Sequence, residues 1–136
     1  MEMAMMIYRE KFQPSEYLSE PYMMVCLNVI ATETNEEARR ELTTMQQFFR
    51  NVVRGTSKPL QPPVDSMEDV WMPHEKDAAQ SMSRLTFLGS KESVRDQYNR
   101  FQKAYNVDEI MVVSYIFDPD KQKRSYQIFK DIVDGK

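Results

Sequence analysis

Three glycines, one histidine and one cysteine among 136 residues exclude several kinds of site at the outset. The chain has no Gly-rich phosphate loop, no nucleophile-elbow pattern and no paired-carboxylate arrangement suited to acid–base work. His74 follows Trp71-Met72-Pro73 with no second histidine and no cysteine nearby, so no metal site is expected and the imidazole reads as a capping or surface residue. Cys26 lies inside the apolar run "YMMVCLNVI" and reads as a small buried thiol, which fits a reducing, cytoplasmic compartment. Charge of one sign is also missing. Eighteen Lys and Arg are interspersed with twenty-one Asp and Glu, a net charge of −3, and without a basic stripe nucleic acid is not an expected partner. No apolar run approaches the ~20 residues of a membrane span. The opening "MEMAMMIYREKF" has neither a basic leader nor a small-residue cleavage site, so it reads as a helix and not as a signal.

What is present is a single domain of 41% hydrophobic and 29% charged residues, long enough for its own core. Glu2 to Lys11 spaces Met3, Met6 and Ile7 helically and stops ahead of Pro14. Eleven methionines suggest flexible core filler. Residues 22 to 31 form a nearly unbroken apolar run, as expected of a strand buried on both faces in a parallel sheet. A helix then starts at Thr34 as N-cap, with Glu37 three residues on, and closes before Gly55; Ala38, Leu42, Met45, Phe49, Val52 and Val53 form its apolar stripe.

Residues 55 to 86 read as an insertion. The stretch "TSKPLQPPVD" is an extended crossing or lid, Ser66 caps a short helix "MEDVW", and Pro73 opens "PHEKDAAQSMSRL". Ser90 then caps a helix with Val94, Tyr98, Phe101 and Tyr105 on one face, "DEIMVVSYI" forms a second buried strand, and Asp118-Pro119 starts a last helix through Val133. Two parallel strands joined through helices make an α/β fold, and two strands alone leave both edges open.

Five blocks in consecutive order carry a resemblance: "YREKFQPSEYLSEPYMMVCLNVIATETNEEA", "QQFFRNVVRG", "LQPPVDSMEDVWMPHEK", "FLGSKESV" and "DEIMVVSYIFDPDKQKRSYQIF". Together they resemble the closing portion of the luciferase-like flavin-dependent monooxygenases, over essentially the whole chain. The resemblance implies a partial TIM (β/α) barrel, running from inside the sixth helix through the seventh and eighth strands to the final helix. A whole barrel takes about 250 residues. The missing strands then come from self-association into a homo-oligomer or from a separate amino-terminal barrel half.

The same resemblance implies reduced flavin mononucleotide as cofactor, or a deazaflavin in some branches, which carries the chemistry while the protein excludes water and orients the substrate. Five positions are the expected cofactor contacts. Gly89 and Ser90 open a helix whose free N–H groups favour a phosphate, although an ordinary Ser-capped helix explains the same residues. Ser114 and Tyr115 end the last strand, together with Asp118, where barrel enzymes place functional side chains; relatives commonly carry His at the position of Tyr115. Arg124 matches an arginine often seen in the final helix. No catalytic residue is assigned. The expected function is a luciferase-like flavin-dependent monooxygenase homologue with little or no activity alone, and the alternative is a non-catalytic assembly or binding module.

Overall fold

The computed structural model describes residues 2–136. Eight elements follow in order: α1 (Glu2–Lys11), β1 (Met24–Thr32), α2 (Asn35–Val53), α3 (Pro73–Met82), β2 (Thr86–Ser90), α4 (Lys91–Tyr105), β3 (Glu109–Val113) and α5 (Pro119–Val133). The sheet has three strands, not the expected two, in the order β2-β1-β3, all parallel. The strand that sequence reading missed is β2. It is five residues long and ends on Gly89-Ser90, a step that marks the following helix more strongly than the strand it closes.

Register offsets the two neighbours of β1. β3 pairs with Met24 to Asn28, and β2 pairs with Asn28 to Thr32. Met24 to Leu27 therefore has a neighbour on one side alone. On one sheet face, Leu27, Val29, Ala31 and Phe87 pack with Val94 and Phe101 of α4 and with Ile128, Phe129 and Ile132 of α5. On the other, Ile30 and Leu88 pack under Ala38, Leu42, Met45 and Phe49 of α2, with Ala79 of α3 and Ile116. The expected face Val94, Tyr98, Phe101 and Tyr105 joins the first cluster as its spacing requires.

That second face is covered along half its length. β1 is buried on both faces from Val29 onward but alternates before it, leaving Met24 and Cys26 exposed. Cys26 is thus not the buried thiol its apolar neighbours suggested, because no helix lies over that end. Methionine corrects in the same direction: Met5, Met23, Met45 and Met67 are core residues, whereas Met3, Met6, Met24, Met72, Met82 and Met111 are exposed. On α1 the residue turned inward is Met5, and Met3, Met6 and Ile7 face out. Val52 and Val53 likewise end the α2 stripe in solvent.

The crossing from α2 to α3 is latched. Thr44 Oγ1 donates to the Gln61 carbonyl, Gln47 Nε2 to the Pro62 carbonyl and Arg50 Nη1 to the Val70 carbonyl, at 2.9, 2.9 and 3.0 Å. Thr43 Oγ1 accepts from Val64 N–H at 2.9 Å. The expected Ser66-capped helix is a turn instead, closed by Val70 and Trp71 N–H groups on the Met67 carbonyl. Trp71 packs beneath it on the α2 cluster. Among the described residues no helix is long and apolar enough to cross a membrane, and no three His, Cys, Asp or Glu side chains meet as a metal site.

Candidate functional site

Parallel strands run the same way, so the carboxyl ends of β1, β2 and β3 lie on one side of the sheet as a stepped rim, with β3 ending level with Asn28 and β2 level with Thr32, on the side where α/β sheets hold ligands. All five expected positions lie along it. Gly89 and Ser90 close β2 on one flank, Arg124 stands by the end of β1, and Ser114 and Tyr115 follow β3 on the other flank.

At the β2 flank the chain occupies its own helix start. Asn35 Oδ1 accepts from Ser90 N–H at 2.8 Å and from Ser93 Oγ at 2.9 Å, while Ser90 Oγ caps α4 by accepting from Ser93 N–H. Gly89 has φ of +134°, and a Cβ there would stand 2.5 Å from Asn35 Oδ1. Beside this turn opens a cleft of about 360 Å³ lined by Asn35, Arg39, Gly89, Ser93, Asp96 and Arg100. Arg39, 3.9 Å from Glu36, and Arg100 bring two guanidinium groups to this cleft and Asp96 one carboxylate, while the Ser90 amide is already bonded to Asn35.

At the β3 flank the two neighbours part ways. Ser114 is buried, its hydroxyl 3.5 Å from Ser125 Oγ, and Ser125 Oγ in turn accepts from Ala31 N–H at 2.9 Å. This pair satisfies the backbone of β1 beyond the end of β3. Tyr115 is half-buried and packs against Phe48 and Phe49 with ring centroids 5.1 and 5.8 Å apart, giving an aromatic shelf at the rim.

Between the flanks lie ion pairs that the sequence did not single out. Arg124 Nε donates to Glu33 Oε1 at 2.8 Å in the open. Lys121 Nζ bridges Glu37 and Glu41 at 2.7 and 2.8 Å, and these two carboxylates hold the ammonium pKa above its usual range. Glu41 is 1% exposed, with Oε2 unbonded among the described residues. The bridge ties α2 to α5 across the rim. Glu37 and Glu41 are spaced i, i+4 and so share a face, but their cation lies eighty residues away from Glu41, which no local pattern reveals. Asp118 serves as the N-cap of α5, accepting from Asp120 and Lys121 N–H groups.

The rim thus offers a cleft of mixed charge with two guanidinium groups, an aromatic shelf and a charged bridge, without a nucleophile held by a base among the described residues. No protein-family model matches the chain. Over 129 residues it is 40% identical to the uncharacterized protein YvbT of Bacillus subtilis (strain 168), covering 95% of this chain and 38% of that protein. It is 36% identical over 129 residues to the "Luciferase-like monooxygenase" of Escherichia coli (strain K12), with the same two coverages. Among solved structures, that titled "Crystal Structure of apo-MsnO8" superimposes with a TM-score of 0.74 at 26% identity, over 97% of this chain and 40% of that one. The chain is a homologue of the luciferase-like monooxygenase of Escherichia coli and spans about 38% of that protein's length.

Proposed function

We propose that the chain supplies one part of a flavin-dependent monooxygenase site and turns over little or no substrate alone. The observation that carries this reading is the rim itself, which has a cleft with two guanidinium groups on the β2 flank and an aromatic shelf on the β3 flank, with no acid, base and nucleophile in mutual reach among the described residues. Those residues fit the ends of flavin mononucleotide. Arg39 and Arg100 match a phosphate, and the Tyr115–Phe48 shelf matches the flat face of an aromatic ring. Bound flavin would supply the redox chemistry. This chain's residues would bind and orient: Asn35 fixes the turn that shapes the cleft, and the Lys121 bridge holds α2, with Phe48 and Arg39, against the rest of the rim.

A three-stranded sheet cannot enclose a ring system from water, so the remaining walls come from further protein surface. The test is a fluorescence titration of the purified chain with flavin mononucleotide and, separately, with riboflavin. Tighter binding of the phosphorylated form, lost in an Arg39→Ala, Arg100→Ala double variant, is the expected result. Equal affinity for both, or binding untouched by the double substitution, would sink the reading.

A further inference from the structure

The two outer edges of the sheet are treated differently. At β2, the side-chain amide of Gln97 closes the edge by accepting from Leu88 N–H at 3.1 Å and donating to the Leu88 carbonyl at 2.8 Å. It acts as a one-residue strand. β3 has no such cover: it pairs with β1, and no side chain among the described residues bonds the backbone of Ile110 or Val112.

Ladder alternation gives the outward groups. Glu109 N–H bonds the Met23 carbonyl, so Glu109, Met111 and Val113 turn their backbone groups toward β1 and Ile110 and Val112 turn theirs out. Ser114 N–H shares the outward direction but is held by the Tyr126 hydroxyl at 3.1 Å. The free edge is therefore Ile110 and Val112, with Met111 between them 53% exposed. β3 carries no proline or lysine, and its one charged residue, Glu109, stands at its start, outside the Ile110–Val112 segment.

We propose that β3 pairs antiparallel with β3 of a second copy, about a two-fold axis through Met111. Ile110 of each copy then faces Val112 of the other and exchanges both backbone bonds, four in all, while the two Met111 side chains meet in the non-bonded pair between them. The neighbouring registers are worse. Moving the axis to Val112 requires Ser114 N–H, which Tyr126 already holds. An axis at Ile110 brings the two Glu109 residues from about 14 Å apart along the strands to about 7 Å, with no basic residue in β3 to offset them. Centred on Met111, each Glu109 stands opposite Val113 and keeps its bond from the Tyr22 hydroxyl. The exposed side chains of Met24, Cys26 and Met111 on the uncovered face then become continuous between the copies. None of this depends on flavin binding.

Light scattering and sedimentation of the full chain over a range of concentrations test the pairing, with twice the 16.1 kDa chain mass expected. Val112→Pro deletes an outward N–H and no bond to β1, so it should give a monomer with unchanged circular dichroism. In a Cys26→Ser, Met111→Cys variant, mild oxidation should join two copies, because a non-bonded antiparallel pair lies within disulfide reach. Cys26 is removed there because it is the register partner of Met111 in its own chain. A monomer at every concentration, growth beyond two copies, or a dimer that survives Val112→Pro and does not cross-link would overturn the proposal.

Discussion

Gly89 and Asn35 show how much can rest on a contact between distant residues. The glycine combines a φ that side chains rarely adopt with an oxygen where its Cβ would be, so Gly89→Ala should lower unfolding free energy by roughly 1–3 kcal/mol in urea titration. Removing that oxygen as well should recover part of the loss, so Asn35→Ala, Gly89→Ala is expected to be less unstable than the two single effects summed. Ser125 makes a comparable case. It is fully buried and satisfies Ala31 N–H, and Ser125→Ala, which orphans that donor in the core, should cost about 1–3 kcal/mol by the same measurement. Glycine and a Ser cap at this turn could be read from the chain. Asn35 could not, because its two bonds reach residues 55 and 58 positions away.

Helix ends were the most legible elements, since capping is local chemistry. Thr34, Ser90 and Asp118 each accept from the N–H groups their patterns predict. Asp118→Ala, which frees two donors at the start of α5, should cost about 1 kcal/mol in thermal or chemical denaturation. Between α2 and α3 the decisive pair is Arg54 with Glu75. Hydrogen bonds from Arg54, and then from Met72 N–H, lower the Glu75 carboxyl from 4.5 to about 2. A depressed carboxyl stabilises the fold fully above its unfolded value and loses that contribution as pH falls through 4.5 toward 2. Melting temperatures across that window should fall more steeply for the natural chain than for Glu75→Gln, which should start lower at neutral pH. β2 escaped detection for the opposite reason: its pairing to β1 lies in the ladder, not in any capping residue.

At the scale of the whole molecule, an open parallel sheet was legible and its coverage was not. Apolar runs marked β1 and β3 as sheet strands, but a run cannot say which face receives a helix, and half of one face receives none. α2 was read by its end signals and its apolar stripe. Its opposite side buries Thr43, Thr44, Gln47, Arg50 and Asn51 against the proline-rich crossing, and buried polar residues look like solvent-facing ones in a sequence. Arg50 is the extreme case, a buried guanidinium bonded to neutral oxygens of Val70, Asn51 and Gln61 with Nε unbonded among the described residues. Arg50→Met should loosen residues 61 to 70 and leave the sheet intact, visible as faster amide hydrogen exchange confined to that segment.

Most of those latching bonds use main-chain groups, the carbonyls of Gln61, Pro62, Val64 and Val70 and the Val64 N–H. α2 therefore recognises the crossing as a shape, almost blind to which residues pass through it, with Gln61 and Asp65 the side chains it also holds. A segment gripped in this way is free to change its surface while keeping its path, and it offers a place to display a foreign loop beside the rim without disturbing the helix that anchors it.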